Sequence, residues 1–283
     1  MSLIPKIELN KESNQGFDYS KMFAKCFIDL NKEISAPPVV LGIGYNDYKG
    51  RSHINPTFTR GEMSAIIAPQ KSKKTMFKTA LAAGYIGGNT NNYFPSLVSC
   101  RKEDLYVLDF DTEQGEYYAQ RSFKRVEEMV GARYDNYLAF GLKKLTDEER
   151  VLFIGAVIND PKYKNKIGMV FIDGVADLCS NTNDIEKSNK VCQEIMKWNE
   201  HCHICCVIHK TFEKDRGTGH LGSFVQKKAE TTIFLQTLDP TVKNSPIEVK
   251  QYDYRGSPFD TFYFDLDIET VIPKECSNNE SWK

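Results

Sequence analysis

Apolar and polar positions change period repeatedly along this chain, from helix-like spacing to strand-like runs and back. Between 19 and 34, Met22, Phe23, Cys26, Phe27 and Leu30 recur at helical spacing, which predicts a helix ended by Pro37 and Pro38. Residues 39–44 read as a short apolar strand. The stretch 45–60, rich in Gly, Asn, Asp and Pro, reads as a loop or hairpin on the rim. Met63-Ser64-Ala65-Ile66-Ile67-Ala68 predicts a buried strand, followed after a polar loop by an apolar helix reaching about residue 83. Further strands are expected over 105–110, 137–140, 166–172 and 203–208, and helices over 116–130 and 184–199. Thr146 with Glu149 three residues later has the capping-box pattern and opens a helix to about residue 158.

The last strands, 231–236, 247–254 and 261–266, follow one another without helices, with Arg255-Gly256-Ser257-Pro258 as a hairpin turn. This alternation predicts an α/β fold: a mostly parallel twisted sheet, helices on both faces, and antiparallel strands at the C-terminal edge. The expected organisation is an N-terminal helical extension and rim loop over 1–60, a main domain over 61–270, and a flexible tail over 271–283. The first 16 residues and the segment from Pro273 are polar and expected to be loose.

Composition narrows the function classes. With 41% hydrophobic residues in 283, the chain can bury a sizeable core. The net charge of −1 means that any nucleic-acid contact must come from a local basic patch. No apolar run approaches the ~18 residues of a membrane helix, and the N-terminus lacks the pattern of a signal peptide, so no membrane partner and a cytoplasmic location are expected. The eight cysteines are scattered rather than arranged as a disulfide framework. His201-Cys202-His203-Ile204-Cys205-Cys206 invites a zinc assignment. Adjacent strand residues point to opposite faces, however, and the separated ligand pairs usual for zinc are missing, so a buried strand is the better reading.

Three segments carry candidate chemistry. A phosphate loop needs inward backbone N–H groups, a helix N-terminus, a Lys for the outer phosphates and a hydroxyl for Mg²⁺, in the pattern G-x-x-x-x-G-K-[ST]. After the strand 63–68 the same register reads Ala68, Pro69, Gln70, Lys71, Ser72, Lys73, Lys74, Thr75, with Met76 next. Lys74 and Thr75 fall in the Lys and Ser/Thr places. Ala68 and Lys73 replace both glycines, and a Cβ at 73 would crowd the phosphates if it faced them. A solvated turn at a helix start is the rival reading. The second segment is Asp109-Phe110-Asp111-Thr112-Glu113-Gln114, where a strand ends in carboxylates. The third is Met169-Val170-Phe171-Ile172-Asp173-Gly174, an apolar run ending in Asp. Taken singly, each carboxylate reads as a surface residue closing a strand. Together and in this order they fit ligand binding at the C-terminal ends of an open sheet.

At these residues the chain resembles the RecA-like P-loop ATPases, which include recombinases, ring-shaped replicative helicases and plasmid RepA-type helicases. Asp111-Thr112-Glu113 resembles that family's second-strand motif, Asp173-Gly174-Val175-Ala176-Asp177-Leu178 its Walker B strand and turn, and Val207-Ile208-His209-Lys210 its next strand. Gly219-His220-Leu221-Gly222-Ser223 resembles the loop and helix that follow. The resemblance covers about 60–268. It is closer to the ATPases of bacterial mobilisable transposons, through Ser72-Lys73-Lys74-Thr75, Asp111-Thr112-Glu113-Gln114, Gly219-His220-Leu221-Gly222 and Lys228-Ala229-Glu230-Thr231.

The resemblance implies an ATP hydrolase. Residues 68–76 and Lys74 would hold ATP, and Thr75 and Asp173 would hold Mg²⁺. Glu113 would orient water, and His209 would sense the γ-phosphate. Lys250 and Arg255, on a late hairpin expected at the sheet's edge, would reach a neighbouring subunit. It further implies single-stranded DNA as partner, a homo-oligomeric ring or filament, and a helicase or remodelling role in replication or transfer of a mobile element. Two other readings stay open: a nucleotide-gated assembly protein that recruits DNA-processing enzymes without translocating, and a scaffold that no longer binds nucleotide.

Overall fold

The computed structural model describes residues 18–101, 104–181, 183–211, 216–242 and 244–277. The expectation of a loose segment over the first 16 residues lies outside these. The chain divides into two units, Met1–Ala36 and Pro37–Lys283. Residues 37–60, grouped with the N-terminal extension on sequence, fold with the larger unit.

In the smaller unit, α1 (Tyr19–Cys26) is capped by Asp18, whose carboxylate accepts from the Lys21 amide at 3.0 Å. It stops eight residues short of the expected end at 34, because Phe27 turns to extended backbone. None of its residues is buried, so it lacks the packing that sustains most helices in proteins.

The larger unit opens with β1 (Val39–Tyr48) and β2 (Arg51–Thr59), the expected rim hairpin. Its turn uses Lys49 and Gly50, both at positive φ, as a two-residue hairpin turn requires. A three-residue strand, β4 (Leu97–Ser99), pairs with β1. The remaining elements are β3 (Met63–Ala68), α2 (Lys74–Ile86), β5 (Tyr106–Asp111), α3 (Glu116–Val130), β6 (Tyr137–Gly141), α4 (Asp147–Asn159), β7 (Ile167–Asp173), α5 (Ile185–Trp198), β8 (His203–His209), α6 (Gly219–Lys228), β9 (Thr231–Thr237), β10 (Ile247–Tyr254), β11 (Phe262–Leu266) and β12 (Pro273–Cys276). The expected capping box at the start of α4 is formed by Thr146 and Glu149.

Among the described residues, nine strands form one sheet in the order β12-β11-β10-β9-β3-β8-β7-β5-β6. From β9 to β6 all pairings are parallel, while β10, β11 and β12 add antiparallel strands. Alternation splits the core in two. Ile66, Val107, Met169, Phe171, Cys205 and Val207 pack with α2 and α3. Ile67, Leu108, Val170, Ile172, Cys206 and Ile208 pack with α4, α5 and α6. Among the described residues no helix is long and apolar enough to cross a membrane.

Two expectations are corrected. The segment from Pro273 is not loose as far as Cys276: β12 pairs with β11, and Glu275 donates its amide to the Tyr93 carbonyl and accepts from Ser96. Proline at the first residue of an edge strand leaves the ladder intact. The hairpin bearing Lys250 and Arg255 is not at the edge either, since β11 and β12 lie outside β10. Pairing of Tyr254 with Thr231, and of Thr231 with Ser64, puts its turn at the N-terminal end of β3.

That same end holds a sealed polar network. Ser64 Oγ lies 2.9 Å from His203 Nε2, and His203 Nδ1 lies 2.8 Å from the Thr59 carbonyl and 3.4 Å from Glu230 Oε1. The connectivity is that of a Ser-His-carboxylate hydrolase. Ser64 and His203 are wholly buried, however, so no substrate reaches them, and the cluster braces β2, β3, β8 and β9. A carbonyl can only accept, so Nδ1 carries the proton and Nε2 accepts from Ser64. Burial, opposed by the Thr59 carbonyl, pushes His203 down to about 4. Burial, opposed by the two Thr59 donors, pushes Glu230 up to about 7.

The two shifts oppose each other in folding. Unfolding between the ordinary values of 4.5 and 6.5 releases Glu230's proton and takes one up on His203, so the pair contributes almost no slope there. Glu230→Gln leaves only the His203 contribution, which is present above 6.5 and lost as pH falls toward 4. Urea unfolding at pH 6.5 and pH 5 should show the variant losing on the order of 2 kcal/mol more than the parent over that interval. Parallel pH profiles would contradict this account.

Candidate functional site

The parity that divides the core also aims the chemistry. Asp109, Asp111, Asp173 and His209 share parity with the residues facing α2, and Ala68, Asp111, Asp173 and His209 stand at or beside the C-terminal ends of four strands. The register confirms the level: Ala68 pairs with His209, Asp173 with Val207, and Asp111 with Asp173. From β3 the chain crosses by α2 to β5, whereas from β8 it crosses by α6 to β9 on the other side of β3. β3 and β8 therefore flank a switch in winding direction, where ligands of open α/β sheets bind.

The loop from Pro69 to Lys73 turns from β3 into α2. Lys71 and Lys73 are both left-handed, with φ of 60° and 58°, a conformation costing a non-glycine residue roughly 1–2 kcal/mol. Ser72 Oγ donates to the Pro69 carbonyl at 2.5 Å, and the amides of Met76 and Phe77 donate to the Lys73 carbonyl. Pro69, Gln70 and Lys71 are exposed, whereas Ala68 and Ser72 are buried. Lys73 keeps the backbone shape of a glycine, and its side chain leaves the loop for Asp265 Oδ1, 2.7 Å away.

Lys74 is 8% exposed. Its ammonium donates to the Pro69 carbonyl and to His209 Nδ1, both at 3.0 Å. An ammonium can only donate, so Nδ1 accepts and Nε2 donates to Glu113 Oε1 at 3.0 Å. Lys74, His209 and Glu113, from three separate elements, thus form one chain. Burial lowers the Lys74 pKa, against the pull of Glu113 and Asp173. The His209 hydrogen bond, with Lys74 adding to it against burial, holds Glu113 below the usual carboxylate range. Glu113 is positioned by its neighbour: Asp111 Oδ1 accepts the amides of Glu113 and Gln114, and Oδ2 accepts Gln114 Nε2. Gly174, at φ +91°, packs beneath this turn, where a Cβ would lie 2.2 Å from Thr112 Oγ1 and 2.9 Å from Glu113 Cγ.

Thr75 Oγ1 donates to Asp173 Oδ2 at 2.8 Å. Burial pushes Asp173 up to about 6; Lys78 and Thr75 oppose that rise, while Asp111 and Asp109 add to it. Lys250 and Arg255 are not brought to this cluster. Lys250 pairs across to Phe234, with its amine 3.9 Å from Glu248, and Arg255 bonds Glu62 and the Lys228 carbonyl.

Sequence reasoning missed Lys78, and it named Asp109 only within the second candidate segment, without its buried partner. Lys78 lies one turn after Lys74 on the buried face of α2, and its ammonium contacts both Asp109 oxygens at 2.8 Å, with both side chains fully buried. Tyr137 Oη donates to Asp109 at 2.7 Å, and the Phe123 ring lies 5.2 Å from the Lys78 amine. Burial works against the Lys78 charge, but Asp109, Asp173 and Asp111 hold its pKa above the ordinary value. A Lys amid the apolar residues of a helix and an Asp inside an apolar strand were the available signal, since buried charges of opposite sign pair.

Lys78→Met should therefore lose about 3–5 kcal/mol of stability, because it strands Asp109 in the core. Urea denaturation measures this, and a loss under about 1 kcal/mol would show that Asp109 finds another partner or takes up a proton cheaply.

The chain matches no protein-family model, and comparison with curated proteins finds no match for it.

Proposed function

We propose that the protein is a RecA-like P-loop ATPase that binds Mg·ATP at 68–76 and works on DNA as part of a homo-oligomer. The observation that carries this reading is the meeting of Lys74, the Thr75–Asp173 pair and the Glu113–His209 pair at the C-terminal ends of β3, β5, β7 and β8, in front of the α2 N-terminus. A helix N-terminus with a lysine beside it suits a polyphosphate.

The donor set fits Mg²⁺, a hard cation that takes oxygen ligands and shares them with phosphates. Thr75 and Asp173 would hold it, and once bound it would neutralise charge on the outer phosphates. Lys74 then exchanges the Pro69 carbonyl and His209 for phosphate oxygens. Glu113, whose pKa is held down by His209 and which is partly open to solvent, would orient water. Lys250 and Arg255 take no part within one subunit. They would meet a phosphate only if subunits stack head to tail, with one copy's N-terminal strand ends over the next copy's loop.

The test measures Mg·ATP binding, then ATP turnover and particle mass with and without single-stranded DNA. Lys74→Ala should abolish binding, since the Lys74 amine is the one that bonds the Pro69 carbonyl within the loop while Lys73 is tied to Asp265. Glu113→Gln should keep ATP bound while slowing turnover at least ~100-fold. Equal ATP affinity in parent and Lys74→Ala removes the phosphate-loop reading. Binding without turnover, with or without DNA, moves the protein to the nucleotide-gated assembly class.

A further inference from the structure

Lys73 raises a question that the phosphate-loop reading leaves open. It stands where the loop pattern has glycine, and it adopts glycine's left-handed backbone, with φ 58° and ψ 27°. Its ammonium does not turn into the loop. It crosses to β11, donating to Asp265 Oδ1 at 2.7 Å and to the Ser245 carbonyl, on the β9–β10 connection, at 3.4 Å. The lysine and aspartate side chains are 21% and 11% exposed, so the pair is shielded from the screening that weakens surface ion pairs. A second contact joins the same parts: Phe77, in the first turn of α2, stacks on Phe264 of β11 with centroids 5.8 Å apart. The antiparallel flank of the sheet thus holds the loop and the start of α2 at two adjoining points.

We infer that Lys73 and Asp265 are positioning residues for the phosphate site. The ion pair tethers the loop to β11 and keeps its backbone in the cradle shape, and Lys73 is not itself a phosphate ligand. This inference rests on the ATP-binding reading above. Glycine in that place would allow the left-handed backbone but leave it mobile. The tether supplies the opposite property, a loop already ordered before ligand arrives, which lowers the ordering cost of binding.

The experiment uses the full chain and four variants: two singles that cut the link, Asp265→Asn and Lys73→Gly, the double of these two, and Asp265→Glu. Hydrogen exchange of the 68–76 peptide, without nucleotide, reads the tether directly. Equilibrium binding of Mg·ATP reads its consequence, and thermal unfolding confirms that each variant is folded. Exchange in the loop should quicken in both single variants, and affinity should fall about tenfold in each. The double variant should be no weaker than the weaker single, since both changes cut one link. Asp265→Glu should restore much of the affinity, which a loss of bulk packing would not explain. A gain of affinity in Asp265→Asn would overturn the inference, because it would mean that the freed Lys73 turns to the phosphates. Unchanged loop exchange in both singles, or additive losses in the double, would overturn it too. A parent that binds no Mg·ATP sinks the phosphate-loop reading and the positioning role with it, whatever the exchange shows.

Discussion

The bond between Lys78 and Asp109 joins two elements that the chain forms separately, the helix after the loop and the strand three places from β3 across the sheet. Neither charge touches water, and burying either one alone would cost several kcal/mol. The pair therefore fixes how α2 lies against β5. Since α2 begins at Lys74, it also fixes where the loop lysine emerges relative to the carboxylates. Asp109, Asp111 and Asp173 lie close enough for each to act on the others' surroundings. Three carboxylates on two adjacent strands disfavour one another's charge, and Lys78 is a buried cation that offsets them. Without it, Asp173 would be driven still further toward its neutral form.

The two ends of the sheet show how access decides what a polar cluster does. At the N-terminal end, Ser64, His203 and Glu230 have the connectivity of a reactive site, yet burial drives the histidine and the glutamate toward their neutral forms. At the C-terminal end Glu113 and His209 are partly open to solvent, and the hydrogen bond between them keeps the carboxylate charged. Hydrogen bonding alone does not distinguish a brace from a site. Solvent access does.

Most strands and helices were legible because each carries its own period. The strand over 63–68, the helix over 116–130 and the strand over 247–254 needed only local pattern, and their ends fall where the apolar run or the caps end. What local pattern missed depends on distant partners. β4 has three residues and exists through β1. β12 is a polar segment ordered by β11 and by the Glu275–Ser96 contacts. With β11, β12 moves the hairpin of Lys250 and Arg255 inward, which nothing within 247–258 reveals. Within the candidate site, Lys74, Thr75, Glu113, Asp173 and His209 were readable because each lies at an element boundary. Lys73 was readable only as a missing glycine. Its left-handed backbone and its reach to a residue far along the chain come from tertiary structure.

On the proposed reading, the ligand-free hydrogen bonds describe a competition. Lys74 has two acceptors, the Pro69 carbonyl and His209 Nδ1, both uncharged, while a polyphosphate offers several anionic oxygens to the same ammonium. Charge-assisted bonds are stronger than bonds to neutral acceptors, so the lysine leaves its internal partners for the ligand. His209 then loses the donor at Nδ1 but keeps its bond from Nε2 to Glu113. The imidazole is thus joined at one nitrogen to the residue that first meets the outer phosphates, and at the other to the carboxylate that faces solvent. Occupancy of the phosphate site and the orientation of Glu113 are linked through a single ring. Its position is set by β8 pairing with β3, by Thr218 donating twice to its carbonyl, and by Lys210 donating to Ala68. A group that transmits occupancy in this way must be held by its backbone and bonded through both ring nitrogens, and His209 meets both conditions.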